Sequence, residues 1–122
     1  MKKNLIEDKK AKSKSFFLKK NKGIFDKSLL KFMISFFKKH KKDLRICLHK
    51  NSSSKHHDMI ILMQKKNFYI PHKHNKKGET YHMIYGKMCC VLFDNLGKIK
   101  KKFLLRKNEI FRTPTNVYHT ML

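Results

Sequence analysis

The spacing of apolar residues changes near residue 43, and it predicts a helix before this point and β-strands after it. Between residues 24 and 42, apolar side chains recur every three or four positions with lysines between them, which predicts an amphipathic helix. Asp26 or Ser28 is the expected N-cap, and the last turn is rich in lysine. We expect this helix to pack on a β core; a helix lying on a membrane surface is the alternative.

From residue 43 onward, apolar and polar residues alternate in short runs, as in half-buried strands. Turns rich in Asn, Ser and Gly separate the runs, and residues 94–97 have the composition of a hairpin turn. The predicted fold is therefore mainly β, with one antiparallel sheet closed into a barrel or folded into a sandwich after the N-terminal helix. The predicted strands cover residues 44–48, 58–63, 67–70, 79–85, 88–93 and 100–105.

Three segments follow from these patterns. Residues 1–22 are dominated by Lys, Ser and Asn, and we expect them to be a flexible, Lys-rich N-terminus. Residues 23–42 are assigned to the amphipathic helix, which packs on the barrel. Residues 43–122 are assigned to the β domain.

The net charge of +23 on 122 residues at first indicates a nucleic-acid or anionic-membrane binder. Of the 31 basic residues, however, 28 are Lys and three are Arg, although recognition of bases and phosphates favours the planar guanidinium. The charge is also shared along the chain, +12 before residue 43 and +11 from there on. We therefore rank a basic nucleic-acid or membrane-surface protein last and expect no specific nucleic-acid partner.

Two further patterns limit the class of protein. No apolar stretch approaches the ~20 residues of a transmembrane helix, and the N-terminus lacks the apolar core of a signal peptide, which favours a cytoplasmic protein. Cys47, Cys89 and Cys90 are odd in number and form no CxxC motif. We expect reduced, mostly buried thiols.

The chemically informative segment runs from Pro71 to Glu79. His72 and His74 are two positions apart on an extended chain, so both imidazoles point to the same face. A short loop containing glycine then begins the next predicted strand at Glu79, whose carboxylate can join the two imidazoles. Such a set suits one divalent ion, Fe(II), Mn(II), Ni(II) or Zn(II). His119, near the C-terminus, is a candidate fourth ligand.

These residues resemble the first motif of the cupin superfamily. Residues 72–74 supply its His-x-His, and Glu79 and Gly86 follow at the spacing of the family. Lys66 stands where the family has its leading glycine.

The sequence also resembles the second cupin motif. Pro114 and His119 keep the family's spacing, while Asn108 and Asn116 stand where the family has glycine. Asparagine tolerates positive φ best among non-glycine residues, so we expect both turns to persist. The resemblance implies a small cupin-type antiparallel β-barrel, a jelly roll, with a metal ion held by His72, His74, Glu79 and His119.

Further residues are similar to the WbuC-type cupin metalloproteins, small bacterial cupins associated with surface-polysaccharide (O-antigen, lipopolysaccharide) biosynthesis. The likeness rests on Arg45-x-Cys47-Leu48-His49, on residues 69–74 and on residues 118–120, where Tyr118-His119 replaces the usual Trp-His. Only three residues follow His119, so we expect a shortened copy of the barrel.

This resemblance also favours a pocket role for Arg45 and His49. There they would bind an anionic substrate or act as general acid or base; the outer face of an edge strand is the alternative. Tyr81 shares a strand face with Glu79, so we expect it to line the pocket, together with Met83 and Tyr85. There Tyr81 is a third candidate catalytic residue, which would orient the substrate or move a proton.

The sequence is compatible with three functions. The first is a metal-dependent cupin enzyme that isomerises, epimerises or oxygenates a small anionic or sugar-like substrate, such as a nucleotide-sugar or saccharide. The second is a non-enzymatic cupin module that binds such a ligand, and the third is the basic binder ranked last. We expect the first, and a homodimer joined at sheet edges is compatible with it.

Overall fold

The computed structural model describes residues 4–19, 23–65 and 67–122. Within these ranges the protein is mainly β, with nine strands and one helix. The chain divides into two compact units, Met1–Gln64 and Lys65–Leu122, which we call the N-terminal and the C-terminal unit. In the described ranges, no helix combines the length and the apolar character needed to cross a bilayer.

The N-terminal unit contains a four-stranded sheet. Its strands are β1 (Leu5–Glu7), β2 (Lys14–Leu18), β3 (Leu44–Cys47) and β4 (Met59–Leu62), in that spatial order. β2 and β3 are parallel, whereas the other neighbours are antiparallel. A parallel pair requires a long crossover, and the helix of this unit lies in that connection.

The helix, α1, spans Lys27–His40, which confirms the predicted element. Asp26 is the N-cap: its Oδ1 accepts hydrogen bonds from the backbone N–H of Ser28 at 2.9 Å and of Leu29 at 3.0 Å. These bonds satisfy donors that the first helical turn would otherwise leave unpaired. At the other end Lys41 adopts a left-handed conformation with φ 49°, and its N–H bonds back to the carbonyl of Phe37.

One face of the sheet is covered by α1. Leu29 and Met33 of the helix and Leu44 and Ile46 of β3 form a buried apolar cluster. Because alternate residues of a strand point to opposite faces, this packing directs Arg45 to the other face of the sheet.

The strands β1 and β2 lie in a segment for which no strand is predicted. The sequence of β2 alternates poorly, and its partners are supplied by β3, about thirty residues further along the chain. Pairing of this kind is decided by tertiary contacts rather than by local propensity. Residues 1–3 and 20–22 of the predicted flexible N-terminus lie outside the described residues.

The C-terminal unit contains the remaining five strands in two sheets. These are β5 (Glu79–His82), β6 (Lys87–Phe93), β7 (Ile99–Arg106), β8 (Ile110–Thr113) and β9 (Tyr118–Met121). One sheet pairs β5 with β8, and the other has the order β7-β6-β9. All pairs are antiparallel.

The pairing in this unit is nested. β6 and β7 form the predicted hairpin, with its turn at residues 94–97; β5 and β8 flank that hairpin in the sequence and pair with each other. Outside them, His72 pairs with His119 of β9, and β9 also pairs with β6. The C-terminal unit is therefore one long hairpin that folds back on itself.

The described residues form three separate sheets and no closed barrel, which differs from the one sheet, closed into a barrel or folded into a sandwich, that we expected. Consecutive strands pair throughout the four-stranded sheet, whereas in the C-terminal unit β5 pairs with β8 and β9 pairs with β6, so the strands are divided among three sheets. Within 67–70 no strand forms, and β8 and β9 are additional strands of four residues each. Lys66 lies outside the described residues.

Candidate metal centre

The site begins with a backbone pair between His72 and His119. The N–H of His72 donates to the carbonyl of His119 at 3.1 Å, and the N–H of His119 donates to the carbonyl of His72 at 2.9 Å. Residues that exchange both bonds lie directly opposite each other, and their side chains share one face. The two imidazole ring centroids are 4.6 Å apart.

His74 joins this pair because it lies two residues beyond His72 on an extended segment. Its ring centroid is 5.0 Å from that of His72 and 5.6 Å from that of His119. The carbonyl of His74 accepts a 2.9 Å hydrogen bond from the N–H of Asn116.

Asn116 has φ 59° and Asn108 has φ 68°, as expected for asparagines at positions where the cupin motif has glycine. The left-handed turn at Asn116 thus faces the segment that carries the histidines.

Glu79 is the first residue of β5, and Thr113 of β8 holds its backbone. The N–H of Glu79 donates to Thr113 Oγ1 at 3.2 Å, and the same hydroxyl donates to the carbonyl of Glu79 at 3.0 Å. Gly78 precedes it at a close approach of the strands, since a Cβ there would lie 3.3 Å from the carbonyl oxygen of Thr113. The strand pairing therefore positions the carboxylate.

The side chains of His72, His74, Glu79 and His119 converge. One potential ligand atom from each residue lies within 4.8 Å of all the others. His119 is fully buried, whereas His72 is exposed and the other two are half-buried. The cluster therefore reaches from the interior to solvent on the side of His72, and this His/Glu cluster could hold a metal ion.

Hydrogen bonds to backbone carbonyls orient two of the imidazoles. Nδ1 of His119 lies 3.0 Å from the carbonyl of Val117, and Nδ1 of His72 lies 3.3 Å from the carbonyl of Ile70. A carbonyl only accepts, so each Nδ1 carries the proton. In the neutral tautomer this leaves a lone pair on Nε2, the arrangement that metal-binding histidines commonly use.

The imidazole nitrogens and carboxylate oxygens of this cluster repel one another unless a proton or a metal cation lies between them. His119 Nε2 lies 3.1 Å from Glu79 Oε2, so a neutral His119 would direct a lone pair at a carboxylate oxygen. Either a proton on this nitrogen or a bound cation removes that repulsion.

His74 provides an independent test of the fit to a metal ion. Its Nε2 is buried and has no hydrogen-bond partner among the described residues. It lies at an ion-pair distance of 3.0 Å from Glu79 Oε1. A buried nitrogen without a hydrogen bond is unfavourable unless something else occupies its lone pair. A cation shared with Glu79 meets this requirement.

Tyr81 anchors the other carboxylate oxygen, because its hydroxyl donates a 2.5 Å hydrogen bond to Glu79 Oε2. Burial by itself raises the pKa of Glu79, but this bond and the nearby His74 and His119 outweigh it, so the pKa is lowered. Burial, and then the bond to Glu79, raise the pKa of Tyr81. The carboxylate is thus held ionised beside a protonated phenol.

Arg45 and His49 belong to the N-terminal unit. Arg45 lies on β3, and its Nε is buried without a hydrogen-bond partner among the described residues. His49 stacks on His57 with ring centroids 4.2 Å apart, and its Nδ1 lies 3.0 Å from the carbonyl of Asp58. Burial lowers the pKa of His49 more than this carbonyl raises it.

Two site features differ from the pattern-based expectation. β5 ends at His82, so the alternation that was extended to Tyr85 stops earlier, and Tyr85 is 87% exposed. Thr113, which holds the backbone of Glu79, was not singled out, because the pairing of β5 with β8 has no local signal in the sequence.

Residues 36–105 match the family described as a domain of unknown function (DUF6016), and the chain belongs to that family. The matched region includes His72, His74 and Glu79, while His119 lies beyond it. Neither the curated proteins nor the solved structures contain a match to this chain.

Proposed function

We propose that this protein is a cupin-type metalloprotein that binds one divalent transition-metal ion through His72, His74, Glu79 and His119. The observation that carries this proposal is the convergence of four ligand atoms within 4.8 Å of one another, among them the buried Nε2 of His74, which forms no hydrogen bond with a described residue. Three imidazoles and one carboxylate suit Fe(II), Mn(II), Ni(II) or Zn(II).

The strand pairing of the C-terminal unit supports the cupin assignment. A jelly roll is a long hairpin wound up so that its outer strands pair beside the inner ones. The nested pairs between His72 and Met121 have this connectivity, with β9 returning to lie beside β6. The left-handed turns at Asn108 and Asn116 occur where the motif requires them.

Each residue of the cluster has a definable role in such a site. A bound metal ion would act as a Lewis acid that polarises an oxygen of the substrate. Buried His119 forms the inner wall, while the exposed side at His72 leaves a path for the substrate. The hydroxyl of Tyr81 donates a hydrogen bond to Glu79 Oε2 and so fixes the position of that oxygen. The other carboxylate oxygen, Oε1, lies beside His74 and is available to a metal ion.

For the substrate, we propose a small anionic or sugar-like molecule used in surface-polysaccharide biosynthesis. The support is the likeness of residues 69–74 and 118–120 to the WbuC-type cupins. Incubation of the metal-loaded protein with a panel of nucleotide-sugars, followed by chromatography of the products, tests this assignment. Turnover of one member is expected; saturable binding without turnover of any member would favour a binding module instead.

Metal content tests the central proposal. The protein is purified without oxygen, and its metals are measured by elemental analysis beside a His72→Ala/His74→Ala double variant. We expect about one equivalent of a single transition metal in the wild type and a loss of at least tenfold in the variant.

A matched control is available in the N-terminal unit. His56→Ala/His57→Ala likewise removes two histidines, both of them exposed, and it should keep the wild-type metal content. Equal metal in the wild type and in the His72→Ala/His74→Ala variant would overturn the proposal.

A further inference from the structure

The apolar surface of α1 is wider than the part that packs on the sheet. Leu29 and Met33 are buried in the apolar cluster between helix and sheet. Leu30 and Ile34, one position further along, are 46% and 41% exposed, and Phe37 is half-buried. At 3.6 residues per turn, the last three side chains lie within an arc of about 60° on one side of the helix. We call Leu30, Ile34 and Phe37 the exposed stripe.

A row of lysines borders the exposed stripe. Lys27, Lys31 and Lys38 are all exposed, and they lie within an arc of about 40° directly beside the stripe. We call these three residues the lysine row. At the C-terminal end of the helix Lys41 extends over the ring of Phe37, with Nζ 6.0 Å from the ring centroid. Lysine commonly lays its methylene chain along apolar surface in this way while its ammonium group stays in a polar layer.

The charge along this helix has a single sign. Residues 27–42 contain no acidic residue and six lysines, which are Lys27, Lys31, Lys38, Lys39, Lys41 and Lys42. The acids on either side both accept backbone hydrogen bonds: Oδ1 of Asp26 caps the helix, and Oδ1 of Asp43 accepts a 2.8 Å bond from the N–H of Gln64. The exposed stripe is therefore an apolar surface within a field of positive charge.

An anionic lipid bilayer matches both features of this surface. Its headgroups attract the ammonium groups, and the boundary between headgroups and acyl chains accepts apolar side chains. A second copy of this chain does not match, because it carries the same charge of +23 and would present its own lysine row. Nucleic acid makes no use of an apolar stripe, and recognition of its phosphates favours arginine, which α1 lacks.

We propose that α1 attaches the protein to the surface of an anionic membrane. The exposed stripe enters the interface, and the lysine row contacts the headgroups. The helix keeps its contacts with the sheet in this arrangement, because the stripe lies beside the buried residues Leu29 and Met33 and not among them. The proposal concerns the N-terminal unit alone and does not depend on the proposed metal function.

Binding to vesicles tests the proposal directly. Phosphatidylcholine vesicles with about 30% phosphatidylserine are compared with vesicles of phosphatidylcholine alone, by flotation. We expect saturable binding to the anionic vesicles, weak binding to the neutral ones, and a loss of affinity as the salt concentration rises. No binding, or equal binding to the two kinds of vesicle, would overturn the proposal.

Replacement of the lysine row by glutamine tests where the charge acts. Because each basic side chain near an anionic surface contributes about fivefold in affinity, we expect this triple variant to bind anionic vesicles about tenfold more weakly or worse. The matched control is Lys100→Gln/Lys101→Gln/Lys102→Gln, which removes the same charge from exposed positions of β7. It should bind nearly as the wild type does. Equal losses in the two triple variants would show general attraction of a basic chain and would contradict the proposal.

The exposed stripe is tested with Leu30→Gln/Ile34→Gln. Glutamine suits a helix, and both positions are partly exposed, so the fold should persist, as circular dichroism checks. The variant removes apolar surface that would enter the bilayer, and we expect about tenfold weaker binding to anionic vesicles. Leu96→Gln/Ile84→Gln is the control, because it removes one Leu and one Ile that are 84% and 58% exposed in the C-terminal unit.

Insertion can be observed in the otherwise unchanged chain, because the protein contains no tryptophan. Ile34→Trp places a single fluorophore in the exposed stripe, and Leu96→Trp places one at an exposed turn. On anionic vesicles the emission of Ile34→Trp should shift to the blue and be quenched by brominated lipid, while that of Leu96→Trp should not change. Equal behaviour of the two variants would mean that the stripe does not enter the bilayer.

A duplex DNA oligonucleotide distinguishes the membrane from nucleic acid. We expect weak binding that the lysine-row variant and the β7 control reduce equally, as for non-specific contacts to phosphates. Tight DNA binding that is lost only in the lysine-row variant, together with vesicle binding that Leu30→Gln/Ile34→Gln leaves unchanged, would assign the surface to nucleic acid and overturn the proposal.

Discussion

The hydroxyl of Tyr81 donates a 2.5 Å hydrogen bond to Oε2 of Glu79, two residues away on the same strand. The bond joins alternate residues on one face of β5, so the strand itself sets the direction of the carboxylate. His119 Nε2 approaches the same oxygen from β9 at 3.1 Å.

Tyr81→Phe removes this hydrogen bond and keeps the ring. Because groups that orient a ligand typically contribute 10- to 100-fold to metal affinity, we expect Zn²⁺ to bind about 10-fold more weakly or worse. Titration calorimetry measures the change, and circular dichroism checks that the fold is kept. Tyr85→Phe is the control, because Tyr85 is exposed and should leave the affinity unchanged. Equal affinities for wild type and Tyr81→Phe would show that the bond does not position the carboxylate.

Replacement of Asn116 by glycine should be tolerated better than its replacement by a β-branched residue. Its φ of 59° is in the left-handed region, which Gly and Asn tolerate but which costs other residues about 1–2 kcal/mol. We expect Asn116→Gly to be as stable as the wild type and Asn116→Val to lose about that amount in urea unfolding. The N–H of Asn116 bonds to the carbonyl of His74, so the Val variant should also bind metal more weakly. A Val variant as stable as the Gly variant would contradict the expected strain.

Met33 should contribute strongly to the stability of the N-terminal unit. It is 1% exposed, and it packs between α1 and β3 in the buried cluster. Met33→Ala leaves a cavity there, and we expect a loss of about 2–5 kcal/mol in the free energy of unfolding. Leu30 lies on the same helix but is 46% exposed, so Leu30→Ala should cost clearly less. Similar losses for the two variants in denaturant unfolding would argue against this packing.

His49 should make the fold less stable in mild acid. Burial lowers its pKa from the ordinary value of 6.5, so the unfolded chain takes up the proton at a higher pH than the folded one. Stability from neutral His49 is therefore complete above pH ~6.5 and is lost as the pH falls through the folded value. Unfolding temperatures of His49→Gln should decline less steeply from pH 7 to 5 than those of the wild type.

The control for His49→Gln is the same replacement at His82, an exposed residue of the C-terminal unit. It removes one histidine from the chain without changing the contacts of His49. A decline as steep in His49→Gln as in the wild type would mean that another group produces the acid sensitivity.

Local patterns predicted those parts of the molecule whose interactions are close in sequence. The period of apolar residues located α1, and Asp26 caps it because its side chain reaches the next turn. The hairpin at residues 94–97 followed from its turn residues. The strands β1, β2, β8 and β9 were not predicted, since each is short and depends on a partner elsewhere in the chain.

The sequence by itself determined that His72 and His74 share a face and that a glycine loop leads from them to Glu79, because two-residue spacing and turn chemistry are local properties. Only the tertiary structure decided that His119 is fully buried opposite His72 and that Thr113 holds Glu79. It also left Nε2 of His74 and Nε of Arg45 buried without hydrogen-bond partners in the described residues. Burial and pairing depend on contacts between distant segments, and the local sequence pattern does not contain them.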